Sequence, residues 1–149
     1  MKPICVSFSG GRSSAVMTSL VWDSYDAPAK HVCFCNTGCE HPATLDFVRD
    51  FEEHTNIPVT WLEAIVGPLG VGIRHRVVDH ATACRDGSIF LAYCRKHGLP
   101  SPSHKSCTSR LKEDVMRDWR RSLGYRDTDY LTAIGIRADE QDRVSSRAE

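Results

Sequence analysis

The chain of 149 residues is the size of one domain, long enough to bury roughly two thirds of the surface it exposes when unfolded. Its 19 basic residues balance 19 acidic ones, so no net field draws it to nucleic acid or to a membrane by charge alone. No window approaches the ~18 consecutive apolar residues of a membrane span, and the N-terminus runs into a strand-like segment without a signal-peptide pattern, which points to a cytoplasmic protein.

Residues 3 to 9, "PICVSFS", have the β-branched and aromatic character of a buried strand, ended by Gly10-Gly11. Ser13 or Ser14 can then cap a helix of about ten residues, "SAVMTSLVWD". A second strand is expected at Lys30 to Asn36, broken by Thr37-Gly38. A helix follows from Pro42, which suits a first helical turn, with Leu45, Phe47, Val48 and Phe51 as its apolar stripe. "IPVTWLE", Ile57 to Glu63, reads as a third strand. Strands and helices alternating at this spacing imply βαβ crossovers and a mainly parallel sheet.

From Ala64 to Lys105 the pattern weakens, and only Asp86 to Gly98 is convincingly helical. The stretch is expected to be an insertion or cap over the strand ends. A last helix near Thr108 to Leu123, a strand from Asp129 to Ile136 and a charged tail complete what reads as a single domain over residues 1–149. The fold class is therefore α/β: a doubly wound, mostly parallel sheet of four to five strands with flanking helices.

Ligands of such sheets bind at the carboxyl ends of the strands, where a helix N-terminus offers free N–H groups and the positive end of its dipole. Ser9-Gly10-Gly11-Arg12-Ser13-Ser14 sits where this geometry arises. It lacks the lysine ending of a Walker A loop and the spaced glycines of a dinucleotide fingerprint. Two readings are open: an anion cradle, or a turn needing glycine for positive φ and serine as a cap.

"SFSGGRSS" resembles the PP-loop, the SGGxxS signature of the adenine nucleotide alpha hydrolase-like superfamily. That superfamily includes N-type ATP pyrophosphatases and phosphoadenosine phosphosulfate (PAPS) reductases. Three further segments are similar in the same order: "FCNTGCEHPATLDFVRDF", "SCTSRLKEDV" and "AIGIRADEQDR". The resemblance is nearest to the PAPS reductase-like branch, including the short members common in phage genomes, and it touches most of the chain outside Ala64 to Lys105.

The resemblance implies that Ser7, Ser9, Gly10, Gly11, Arg12, Ser13 and Ser14 hold the phosphates of ATP, or the phosphosulfate of PAPS. Asn36, Thr37, Gly38 and Glu40 would lie toward adenine and ribose; as a plain turn, Asn36 would only terminate its strand. Thr108, Lys112, Gly135, Arg137 and Arg143 complete the implied nucleotide site, with arginine supplying a bidentate oxyanion clamp. Where relatives often carry Lys-Asp after the double glycine, Arg12-Ser13 keeps the positive charge but drops the carboxylate that helps hold magnesium, so magnesium stays a possible rather than a required cofactor.

The same resemblance implies oxidoreductase chemistry in sulfur metabolism, yet true reductases use a nucleophilic cysteine in a C-terminal segment, and this chain has none after Cys107. Cys107 is the weak candidate for that role, with Cys84 as a substitute, and a partner protein could supply the thiol. An alternative is an ATP pyrophosphatase that adenylates an acceptor for thiolation or amidation. Its acceptor could be a nucleic acid held by Arg117, Arg120, Arg121 and Arg126. A third reading is a non-catalytic nucleotide-binding or regulatory module.

The seven cysteines are an odd count without an export signal, and reduced thiols are expected. They show no CxxC, so neither zinc nor an iron-sulfur cluster is expected, even with His75, His80 and His104 in the chain. A homodimer would cover an exposed sheet edge or apolar face.

Overall fold

The computed structural model describes residues 1–101 and 109–136. The element order is β1 (Ile4–Ser7), α1 (Arg12–Ser24), β2 (Lys30–Asn36), α2 (Pro42–Thr55), β3 (Val59–Ile65), β4 (Arg74–Val78), α3 (Ser88–His97), a π-helical turn (Ser109–Glu113) running into α4 (Asp114–Ser122), and β5 (Leu131–Ile134).

The five strands form one sheet in the order β4-β3-β2-β1-β5. Four are parallel, and β4 lies antiparallel against β3. The expectation of an α/β sheet of four to five strands holds, with five.

Each face of the sheet carries its own core because side chains alternate along a strand. Val6, Phe8, Val32, Phe34, Val59 and Trp61 pack against Ala15 of α1 and Leu45, Val48 and Phe51 of α2. The opposite face sets Cys33, Cys35, Leu62 and Ala64 against Ile89 and Tyr93 of α3 and Val115, Met116 and Trp119 of α4. Pro42 opens α2 as expected, after the His41 ring accepts a hydrogen bond from Ala43 N.

Two local differences from the sequence reading matter for the site. Helix α1 begins two or three residues earlier than a cap at Ser13 or Ser14 implies: Gly11 is the N-cap and Ser14 lies inside the first turn. Strand β4 occupies part of the stretch expected to be irregular. Its "RHRVV" has no apolar alternation, and it is held by polar contacts: His75 N and Nδ1 both bond to Asp118 of α4, at 2.9 and 2.6 Å.

The chain leaves β1 toward β2 and β3, and returns on the other side as β5. The carboxyl ends of β1 and β5 therefore flank the point where strand order reverses, the crevice in which open α/β sheets take their ligands.

Candidate functional site

The turn from β1 into α1 is organised by one hydroxyl. Ser14 Oγ donates to Gly11 O at 2.9 Å and accepts from Ser9 Oγ at 2.9 Å, with longer contacts from Ser9 N and Gly11 N at 3.3 Å. Ser14 is buried while Ser9, Gly11, Arg12 and Ser13 are exposed. Ser14 thus folds the loop back over the start of α1, and its capping capacity is used on groups before the helix. The first-turn amides of a helix have no intrahelical acceptor, and α1 has no acidic residue in its first turn. The result is an exposed, positively polarised N-terminus.

The two glycines are not equivalent. Gly10 has φ +77°, and a Cβ placed there would lie 2.7 Å from Thr44 Cγ2 and 3.2 Å from both Phe34 and Val48. It is glycine because the backbone presses onto α2 and β2. Gly11 has φ −103°, and a Cβ there would meet only Ser9 Oγ, at 3.7 Å. Among the described residues no contact demands glycine at this position.

Gly135, after β5, is brought to this loop, with a Cβ there lying 3.7 Å from Ser14 Cα. Ser7 pairs with Cys33 and Ile134 at the end of β1, on the opposite face of the sheet from Val6 and Phe8. Lys112 reaches Glu40, its Nζ 3.5 Å from Oε1, and Thr37 Oγ1 donates to the same oxygen at 3.2 Å. Thr37, Glu40 and Lys112 therefore form one polar cluster beyond β2. Cys107, Thr108, Arg137 and Arg143, like His104, lie outside the described residues.

Asn36 is only 1 % exposed, and its amide is committed internally. Nδ2 donates to Glu63 Oε1 at 2.7 Å and to Cys84 O at 2.9 Å, while Oδ1 accepts from Gly38 N at 3.1 Å. Its side chain builds the turn, and Gly38, at φ +82° with Cys84 Sγ 2.9 Å from an added Cβ, closes it.

The residue that sequence reasoning missed is Glu63, at 0 % exposure. Oε1 accepts from Asn36 and, at 2.7 Å, from Cys84 N; Oε2 accepts from Arg76 Nε at 2.9 Å and Nη2 at 2.6 Å. A lone carboxylate in the apolar run "VTWLEAI" was the available signal, since a buried acid needs paired donors.

Among the described residues no three histidine, cysteine, aspartate or glutamate side chains converge as a metal set. His75 pairs with Asp118, and His80 with Asp46 at 2.8 Å. The Ser9 to Ser14 loop itself contains no carboxylate. Of the arginine run, Arg117, Arg121 and Arg126 are exposed and each meets an aspartate at 2.9 to 3.6 Å, whereas Arg120 turns inward. Among the described residues no helix is long and apolar enough to cross a membrane.

The thiols divide by environment. Burial pushes Cys33 far up, and pushes Cys35 up to about 12. Cys39 is exposed and Cys84 half-buried, and both flank the Gly38 turn, Cys84 donating to Asp86 Oδ1 at 3.1 Å. Hydrogen bonds from Ser88 and then Cys84 draw the Asp86 carboxyl down to about 2. Only thiolate reacts with alkylating agents. Desolvation draws the Cys39 thiol up as well, but its exposure is expected to lead iodoacetamide at pH 8 to label it before Cys5, Cys33 and Cys35, which are buried and stay unmodified until unfolding, as read by peptide mass spectrometry. Labelling of Cys35 in the folded protein would contradict the described burial.

Residues 3–65 match the phosphoadenosine phosphosulfate reductase domain family. The matched segment contains β1, α1, β2, α2 and β3, and so bears out the resemblance carried by the glycine turn and the Asn36 turn. Over 147 residues the chain is 36 % identical to an uncharacterized nin region protein of Escherichia phage lambda, covering 95 % of this chain and 50 % of that protein. Two uncharacterized proteins of Methanocaldococcus jannaschii are 28 % and 27 % identical over 93 % and 78 % of this chain, and over 24 % and 22 % of their own lengths. The chain thus spans half of the phage relative and about a quarter of the archaeal ones. No solved structure matches it.

Proposed function

Starting from a phosphoadenosine phosphosulfate reductase-like segment at residues 3–65, we propose that the protein binds an adenine nucleotide, PAPS or ATP, and acts at its phosphosulfate or at its α-β phosphate linkage. The phosphate groups lie on the Ser9 to Ser14 loop at the start of α1. Arg12 contributes charge there, and Thr37, Glu40 and Lys112 line the adenosine side of the crevice.

One observation carries the reading. Among the described residues, Gly11 sits at the exposed N-cap of α1 with ordinary φ and open space around its Cα, so none of them gives a reason for glycine there. An anion seated on the first-turn amides supplies that reason, because its oxygens must approach the backbone closely.

Calorimetric titration with PAPS, with its desulfonated product 3′-phosphoadenosine 5′-phosphate, and with ATP plus magnesium tests the proposal, alongside Gly11→Asp. Aspartate is among the best N-cap residues, so this variant should keep or slightly raise the melting temperature. Its carboxylate occupies the phosphate position and should weaken binding by at least about 100-fold, or ~2.7 kcal/mol. Tighter binding of the 3′-phosphorylated pair supports chemistry at the phosphosulfate, and preference for ATP supports cleavage at the α-β linkage. Binding that is unchanged in Gly11→Asp would sink the proposal.

A further inference from the structure

On the face of the sheet opposite α1, a cavity of about 370 Å³ lies between α4 and β5, lined among others by Glu113, Arg117, Arg120, Asp127, Tyr130 and Thr132. Arg120 is 7 % exposed. Among the described residues it has no carboxylate partner, and its buried Nε has no hydrogen-bond partner. Among the described residues its other contacts are weak or to neutral groups: Nη1 to Tyr130 OH at 3.4 Å, Nη2 to Met116 Sδ at 3.9 Å, the Cys5 thiol, and the Tyr130 ring centroid 4.7 Å from the guanidinium.

Arginine stays protonated at any working pH, and an uncompensated buried charge costs several kcal/mol. A cation–π contact returns about 2 kcal/mol at best. Thr132 and Ile134 of β5, which pair with Cys5 and Ser7 of β1, line the cavity from the sheet, on the face opposite α1.

We propose that this cavity is a second ligand site, which binds a small monocarboxylate through a two-pronged hydrogen bond from Arg120 Nε and Nη. The planar fork matches a carboxylate, and the orphaned Nε is one of its prongs. Glu113 and Asp127 share the same cavity walls, and their charge disfavours a dianion such as phosphate while leaving room for a singly charged ligand. The Tyr130 and Thr132 hydroxyls supply further polar groups beside the bound oxygen atoms.

The test is a nitrogen-15 NMR titration of the unmodified protein, following the Arg120 Nε–H resonance assigned through its own side-chain carbons. Sodium acetate is the probe, with inorganic phosphate in a parallel series and sodium chloride holding ionic strength constant. Acetate should shift the resonance saturably at lower concentration than phosphate. Gly11→Asp should leave that response unchanged, which separates this site from the nucleotide loop, and Arg120→Lys should weaken acetate binding by about tenfold or more. No saturable shift with acetate, tighter response to phosphate, or full acetate affinity in a folded Arg120→Lys protein would each overturn the proposal. The titration of the unmodified protein stands even where that variant does not fold.

Discussion

Gly10→Ala is expected to lower stability by about 2–5 kcal/mol, while Gly11→Ala changes it by less than about 1 kcal/mol. The asymmetry follows from two separate terms at Gly10. Its φ of +77° places any L side chain in the left-handed region, which costs about 1–2 kcal/mol. Its Cβ would also stand 2.7 Å from Thr44 Cγ2, and overpacking of this kind costs about 1–3 kcal/mol. Phe34 and Val48 are core residues on the same side and have little freedom to yield. Gly11 carries neither burden. Urea unfolding followed by circular dichroism measures both variants, and equal losses would show that the loop does not pack on α2 as described. The contrast also separates the two glycines: Gly10 holds the loop in place, whereas Gly11 leaves open space among the described residues, where the proposed anion would sit.

Glu63→Gln should destabilise the protein by about 2–5 kcal/mol, an unusually large effect for exchanging one oxygen for an NH2 group. All four partners of the carboxylate are donors: Asn36 Nδ2 and Cys84 N on one oxygen, Arg76 Nε and Nη2 on the other. A glutamine must point its own N–H groups at one of these pairs whichever way it is flipped. Because Glu63 has no exposure to water, the conflict cannot be relieved by solvent. Arg76 is itself half exposed, so most of the loss comes from stranding Asn36 and Cys84 rather than from the ion pair. Urea unfolding of Glu63→Gln, with Arg76→Ala as the milder companion, gives the measurement. A loss below about 0.5 kcal/mol in Glu63→Gln would mean that the network does not hold the turn. The expected consequence extends to binding, since Glu63 ties the end of β2 to the segment before α3.

The strands and helices that follow hydrophobic periodicity were legible in the amino-acid order. β1, β2 and α1 to α3 are apolar enough on one or both faces to declare themselves, and their alternation dictates a parallel sheet. The glycine-serine turn was also legible as an anion site or a cap, because its chemistry is local. Strand β4 was not, since "RHRVV" is joined to the sheet by backbone pairing and by Glu63 and Asp118, partners 13 and 43 residues away from Arg76 and His75.

Sequence by itself determined the α/β class, the position of the glycine-serine loop between β1 and α1 and the family resemblance, because each rests on residues close together in the chain. Only the tertiary structure decided which glycine serves the fold, that Asn36 is spent on Glu63 rather than free for a ligand, and that Arg120 is buried without an acid. Those outcomes depend on atoms brought together across the sheet, and hydrogen bonding and steric exclusion act over a few ångströms of space whatever the separation along the chain.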